Sequence, residues 1–211
     1  MKKILCLILA AVLCLGCTVA LASCKEEVTD VFTYAENLAP TRTTTFVTYK
    51  AANGDVLEGE YVLEVNGDDA IFTYTYDKYR TAEEAIEDND STPIKTVEGK
   101  VYRKDGKYSD DGEIWGSSPV ATEIKLNLKR ELLSNVNLSE DGNTLTAEIA
   151  PDKAAEVLGT ALSANGNIAI TAVANGTYLT GVVLTCTTAE GATLEIRTSY
   201  SYNVLELVFP E

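Results

Sequence analysis

From Arg42 onward apolar and polar side chains alternate with a period of two, the pattern of strands that bury one face of a sheet. Phe46 to Lys50 and Val56 to Val65 flank Asn53-Gly54-Asp55, and Asn66-Gly67-Asp68 separates the second run from Ala70 to Tyr79. Asn-Gly supplies the positive φ that a tight hairpin needs, so three strands are expected to open the domain as a meander. Leu57, Tyr61, Leu63 and Val65 point one way, and Glu58, Glu60 and Glu64 the other. Phe72, Tyr74 and Tyr76 likewise oppose Thr73, Thr75 and Asp77, which predicts an antiparallel sheet with one apolar and one wet face.

A short helix is expected around Val28 to Leu38, and the acidic stretch Thr81 to Asp90 reads as another helix or an excursion. Ile94 to Lys104, the Asp105-Gly106 turn and Lys107 to Trp115 form a further hairpin, interrupted at Asp110-Asp111-Gly112. In Ile124 to Val136 the alternation of Ile124, Leu126 and Leu128 gives way to helical spacing at Leu128, Leu132, Leu133 and Val136, so a strand end leading into a short helix is expected. Asn143 to Ala150 is a strand, and Pro151 to Leu158 a helix with Pro in its first turn and Gly159 after its end. The last third predicts strands over Asn167–Ala174, Tyr178–Thr188, Ala192–Tyr202 and Val204–Phe209. The expected fold is therefore mainly β (α+β): a large curved antiparallel sheet, a half-barrel of about nine to eleven strands, with two or three short helices on its concave face.

Ahead of this pattern, Met1-Lys2-Lys3 is basic and Ile4 to Ser23 is apolar, the layout of a secretory signal. Leu21-Ala22-Ser23-Cys24 resembles the cleavage box of bacterial lipoprotein signal peptides: an aliphatic residue, two small residues, then cysteine. The rival box, Cys14-Leu15-Gly16-Cys17, has a cysteine at the aliphatic position and bulky Leu15 where a small residue is usual. The resemblance implies a signal peptide over residues 1–23 and a lipidated N-terminus at Cys24, and the length and alternation of the rest give a linker to residue 40 and a single domain over 41–211. It also implies a diacylglycerol on the Cys24 thiol, and a location on the extracytoplasmic side of the bacterial cell membrane. Two other readings stay open. An uncleaved helix of twenty residues at about 1.5 Å each would span a bilayer core of about 30 Å, and cleavage after Ala20 or Ala22 would give a secreted protein.

Loss of the signal removes Lys2 and Lys3 and no carboxylate, which takes the formal charge from −15 to about −17. Such a surface repels nucleic acid and anionic headgroups, so neither is expected as a partner, and it also serves solubility. Of the five cysteines only Cys186 remains beyond Cys24, and its parity with Val182 and Leu184 reads as a buried small apolar residue, with a reactive thiol as the alternative. The sequence has no histidine, which removes histidine-based nucleophilic and general-base sites and most catalytic zinc sites. Glu83, Glu84, Glu87, Asp88 and Asp90, or Asp110, Asp111 and Glu113, read as solvated acidic faces; Asp88-Asn89-Asp90 and Asp105 to Glu113 offer oxygen ligands without the spacing of a calcium loop. No catalytic residue, metal or further cofactor is expected, and the chain is expected not to be an enzyme.

The aromatic side chains Tyr61, Phe72, Tyr74, Tyr76, Tyr200 and Tyr202 either line a concave apolar cavity, with hydroxyls at its mouth, or are the ordinary core of a twisted sheet. The element order, the cleavage box, the unit "NTLTAEIAPDKAAEVLG" and the closing "LEIRTSYSYNVLELVFP" resemble the half-barrel lipoproteins of the LolA and LppX group. That resemblance implies a sheet wrapped around helices, with a concave face that holds acyl chains. LolA itself is a soluble carrier, so its shuttling role does not transfer to a chain with a lipidation box. The expected function is a membrane-anchored lipoprotein that binds a lipid or other apolar ligand. The alternative is a structural or protein-interaction lipoprotein of the envelope, with a filled core and a protein partner.

Overall fold

The computed structural model describes residues 29–116, 126–159 and 162–210. Cys24 with Leu21, Ala22 and Ser23, the rival Cys17, and Ile124 lie outside the described residues. Ten strands form one antiparallel sheet: β1 (Arg42–Lys50), β2 (Val56–Asn66), β3 (Asp69–Tyr79), β4 (Ile94–Lys104), β5 (Lys107–Ser109), β6 (Ser134–Leu138), β7 (Thr144–Ile149), β8 (Ile168–Ala174), β9 (Leu179–Thr187) and β10 (Thr193–Ser201). Their spatial order is β5-β4-β3-β2-β1-β10-β9-β8-β7-β6. Two meanders are thus joined where the first strand pairs with the last, Thr43 opposite Tyr200 and Lys50 opposite Thr193. The sheet stays open, with β5 and β6 at its edges, and the mainly β half-barrel expectation holds.

The local chemistry explains the elements. At the β4–β5 turn Asp105 and Gly106 both adopt positive φ (51° and 74°), as a two-residue hairpin of matching twist requires. Helix α1 (Val31–Glu36) starts at Asp30, whose carboxylate accepts the N–H groups of Phe32 (3.0 Å) and Thr33 (3.3 Å), and it buries Val31 and Ala35. Helix α2 (Ala82–Glu87) is set by a capping box between Thr81 and Glu84 and buries none of its residues. Helix α3 (Ala154–Leu158) follows a 3-10 turn at Pro151–Lys153, buries Ala154 and Val157, and ends at Gly159 with φ 71°.

The main cluster of buried side chains lies in one half of the sheet, and in the first meander Leu63, Ala70, Ile71 and Val101 are buried apart from it. Leu145, Ile149, Ile168, Ile170, Leu179 and Leu184 pack with Val31 and Ala35 of α1, Ala154 and Val157 of α3, and Leu128 and Leu132 from the segment leading to β6. No residue of β1–β5 belongs to this cluster. The face that carries α1 and α3 is called the inner face below.

Three local expectations are corrected. The helix read into Ile124–Val136 is absent among the described residues: a 3-10 turn at Arg130–Leu132 turns Leu132 into the core, and β6 follows. Strand pairing wins there because β7 presents a free edge, which β6 takes with a register shift around Asn135. Lys107–Trp115 shortens to β5 plus a bridge between Tyr108 and Gly116, because the Asp111 carboxylate accepts the N–H groups of Glu113 (2.8 Å) and Ile114 (2.9 Å) and forces a turn. Val204–Phe209 is not a strand. β1 and β10 occupy each other's edges, so the tail crosses the ends of the first meander, where Asn66 donates to the Leu205 carbonyl (2.9 Å) and Phe209 meets Tyr102 at 6.2 Å.

Candidate ligand-binding face

The register decides which side chains share the inner face. Across β2, β3 and β4 it aligns Leu63 with Phe72 and Val101, Tyr61 with Tyr74 and Gly99, and Gly59 with Tyr76 and Val97. Four aromatic rings close a circuit: Tyr61 to Phe72 at 6.3 Å, Phe72 to Tyr74 at 5.8 Å, Tyr74 to Tyr76 at 5.9 Å, and Tyr76 to Tyr61 at 6.3 Å. The planes of each pair differ by only 14–38°. The Tyr74 ring occupies the space that a Cβ at Gly99 would need, and Tyr61 crowds the corresponding space at Gly59. Two strand glycines thus let the rings lie down along the sheet. All four aromatics are partly exposed and none enters the closed core. Burial, and then the neighbouring Tyr76, raise the pKa of Tyr61 above the ordinary phenol value.

Charge is sorted between the two faces of the first meander. Its outer positions carry Glu58, Glu60, Glu64, Asp69, Asp77 and Glu98, whereas the inner positions of β1–β5 carry no carboxylate. The inner cations are Lys78 and Lys95, opposite each other beyond Tyr76, and Arg103 beyond Phe72 and Val101. Lys78 pairs with Glu84 and Lys95 with Asp88 (2.9 Å). Arg103 lies over the ring of Tyr108, its guanidinium carbon 5.9 Å from the centroid, and its buried Nε has no hydrogen-bond partner.

The other two aromatic candidates lie elsewhere. Tyr200 is 9% exposed inside the closed core, where burial and then Tyr202 drive its pKa far above the usual value. Tyr202 stacks on Tyr178 at 4.5 Å and donates to the Leu179 carbonyl at 2.7 Å. Buried Thr43 and Thr45 of β1 separate them from Tyr61 and Leu63, and the Thr45 hydroxyl meets that of Thr198 at 3.1 Å. The structure therefore brings Tyr61, Phe72, Tyr74 and Tyr76 together and sets Tyr200 and Tyr202 in the packed half. Two clefts, of about 360 Å³ by Lys104, Lys107, Trp115 and Pro210 and about 340 Å³ by Phe32, Leu128 and Arg130, touch none of the four rings.

The carboxylate clusters have structural partners. Arg80, with a side chain 7% exposed, donates to Asp88, to Asp90 (3.0 Å) and to the Thr92 carbonyl (3.2 Å). Among the described residues no group of three or more His, Cys, Asp or Glu is placed to hold a metal, and no helix is long and apolar enough to cross a membrane. Cys186 is a free, buried thiol whose pKa burial raises. Sequence reasoning missed Gly59, Gly99 and Arg103. A glycine inside an alternating strand is a signal of close approach, but the ring that approaches is known only once the register is.

No family model and no curated protein matches the sequence. Among solved structures the chain is similar to the S-type phycobiliprotein lyase CPES from Guillardia theta, at 9% identity and a TM-score of 0.32, over 84% of this chain and 95% of that one. The expectation that the chain is not an enzyme is withdrawn beside a neighbour named as a lyase, and at a TM-score of 0.32 the likeness decides nothing about activity in this chain.

Proposed function

We propose that this chain is a bacterial lipoprotein, tethered through Cys24 on the extracytoplasmic side of the cell membrane, that holds a lipid or other apolar ligand against the inner face of β2–β4. The observation that carries the reading is the circuit of four rings among strand positions that hold no carboxylate, outside the main buried cluster. Aromatic side chains spread on a sheet offer apolar area with hydroxyls at its margin, the composition of a small-molecule site. The tether rests on Leu21-Ala22-Ser23-Cys24; two or three acyl chains on Cys24 would give durable anchoring, since one alone binds only marginally.

Mass spectrometry of the gently extracted chain tests both parts. A diacylglycerol on Cys24 and a second, non-covalent apolar molecule are expected. The covalent lipid alone, with no uptake of added apolar ligands, would refute the binding role, and a Cys24→Ser chain that stays in the membrane fraction would refute the anchor. The alternative, a structural or interaction lipoprotein with a filled core, is favoured by the β6–β10 half alone, where the inner face is closed.

A further inference from the structure

We propose that the ligand of this face is an anionic amphiphile whose terminal carboxylate is held by Arg103 while its apolar body lies on Phe72, Tyr74, Tyr61 and Tyr76. The inference deepens the binding role above and rests on it.

Three observations converge on Arg103. The first is position: it faces Ala70 across the β3–β4 ladder, one inner position beyond Val101 and diagonal to Phe72, so the residue follows the ring circuit on the same face, with its guanidinium toward Tyr108 of β5. Diagonal neighbours on one face lie about 7–8 Å apart, within reach of a single ligand.

The second is an unmet hydrogen bond. The buried Nε of Arg103 donates to nothing, and the side chain forms no ion pair among the described residues. Its guanidinium carbon lies 5.9 Å from the centroid of the Tyr108 ring, a contact that supplies no hydrogen bond to Nε. Buried polar atoms are nearly always satisfied, so this nitrogen has room in its hydrogen bonding for one acceptor, which a water or a ligand oxygen can supply. A carboxylate fits best, since it takes two parallel N–H bonds from one guanidinium.

The third is the surrounding charge. The chain carries 32 Asp and Glu, yet the inner positions of β1–β5 hold none. Lys78 and Lys95, at the far end of the rings, are already neutralised by Glu84 and Asp88 from α2 and the turn after it. Arg103 is the inner cation of this half that has no carboxylate among the described residues. An anionic end is attracted there, whereas the outer face repels it.

Photolabelling of the full chain in neutral phospholipid vesicles tests this, with a diazirine-bearing long-chain fatty acid compared with its methyl ester. The acid is expected to label β2–β4 peptides at about tenfold lower concentration than the ester, a ratio that falls to about one in Arg103→Gln and is partly kept in Arg103→Lys. Tyr74→Ala should weaken acid and ester alike. Equal labelling by acid and ester in the unaltered chain, or an acid preference that survives Arg103→Gln, would overturn the proposal and leave the binding role standing. Failure of both probes to label β2–β4 would overturn the two together.

Discussion

Tyr74 on β3 lies across the ladder from Gly99 on β4, and its phenol ring fills the space where any other residue would carry its Cβ. Methylation of that position must displace the ring. The ring is the free end of a half-exposed side chain, so Gly99→Ala is expected to lower stability by about 1 kcal/mol at most, less than overpacking a closed core costs. Most of that loss should vanish when Tyr74→Ala is also present, a coupling that a double-mutant cycle in urea would measure. Additive effects would show that the ring does not lie where the glycine permits it.

The two halves of the inner face should respond differently to truncation. Leu145 and Ile170 are fully enclosed in the packed half, so alanine at either position is expected to cost about 2–5 kcal/mol. Tyr61 and Tyr76 are partly exposed, and alanine there should cost less stability while reducing uptake of apolar ligand. Denaturant unfolding of the four variants, beside a ligand-uptake assay, separates the two effects.

Acid stability should report the clasp between β3 and α2. Glu84 has its pKa lowered to about 2 from the model-peptide value of 4.5, first by the hydrogen bond from Lys78 and then by the Thr81 N–H. A depressed carboxylate pKa stabilises the fold above the unfolded value, and that stabilisation is lost as pH falls through the folded one. Stability should thus be level above the range of unfolded carboxylates and decline from there toward pH about 2. Glu84→Gln should flatten part of that decline, as thermal unfolding across this pH range would show.

Cys186 is 6% exposed, and burial holds its thiol in the protonated form to higher pH than usual. Its reaction with an aromatic disulfide reagent should be at least about 100-fold slower in the native chain than in denaturant, because only an opened molecule presents a thiolate. Equal rates would contradict the placement of β9 in the core.

Local pattern exposed most of the strands and left their partners hidden. The alternation in Leu57–Val65 and Leu194–Tyr202 is a property of each strand and needs only a period of two. The pairing of β1 with β10 joins segments about 150 residues apart, and nothing local encodes it. That pairing divides the aromatic candidates, because Thr43 and Thr45 run between Tyr200 and the Tyr61 strand. The tail Val204–Phe209 shows the converse error: it alternates like a strand, yet the edges nearest to it are already taken. Arg103 was invisible for a related reason, since its unmet Nε follows from what surrounds it and not from its neighbours in sequence.

The central claim is that the first meander binds an apolar ligand on its four rings while the second half of the sheet is already filled. Tyrosine-ring resonances, recorded on tyrosine-labelled protein during titration with a long-chain fatty acid, test it most directly. Tyr61, Tyr74 and Tyr76 are expected to shift with a common saturating affinity, while Tyr178, Tyr200 and Tyr202 stay fixed. Shifts confined to Tyr178, Tyr200 and Tyr202, or no shift in any of the six, would contradict it.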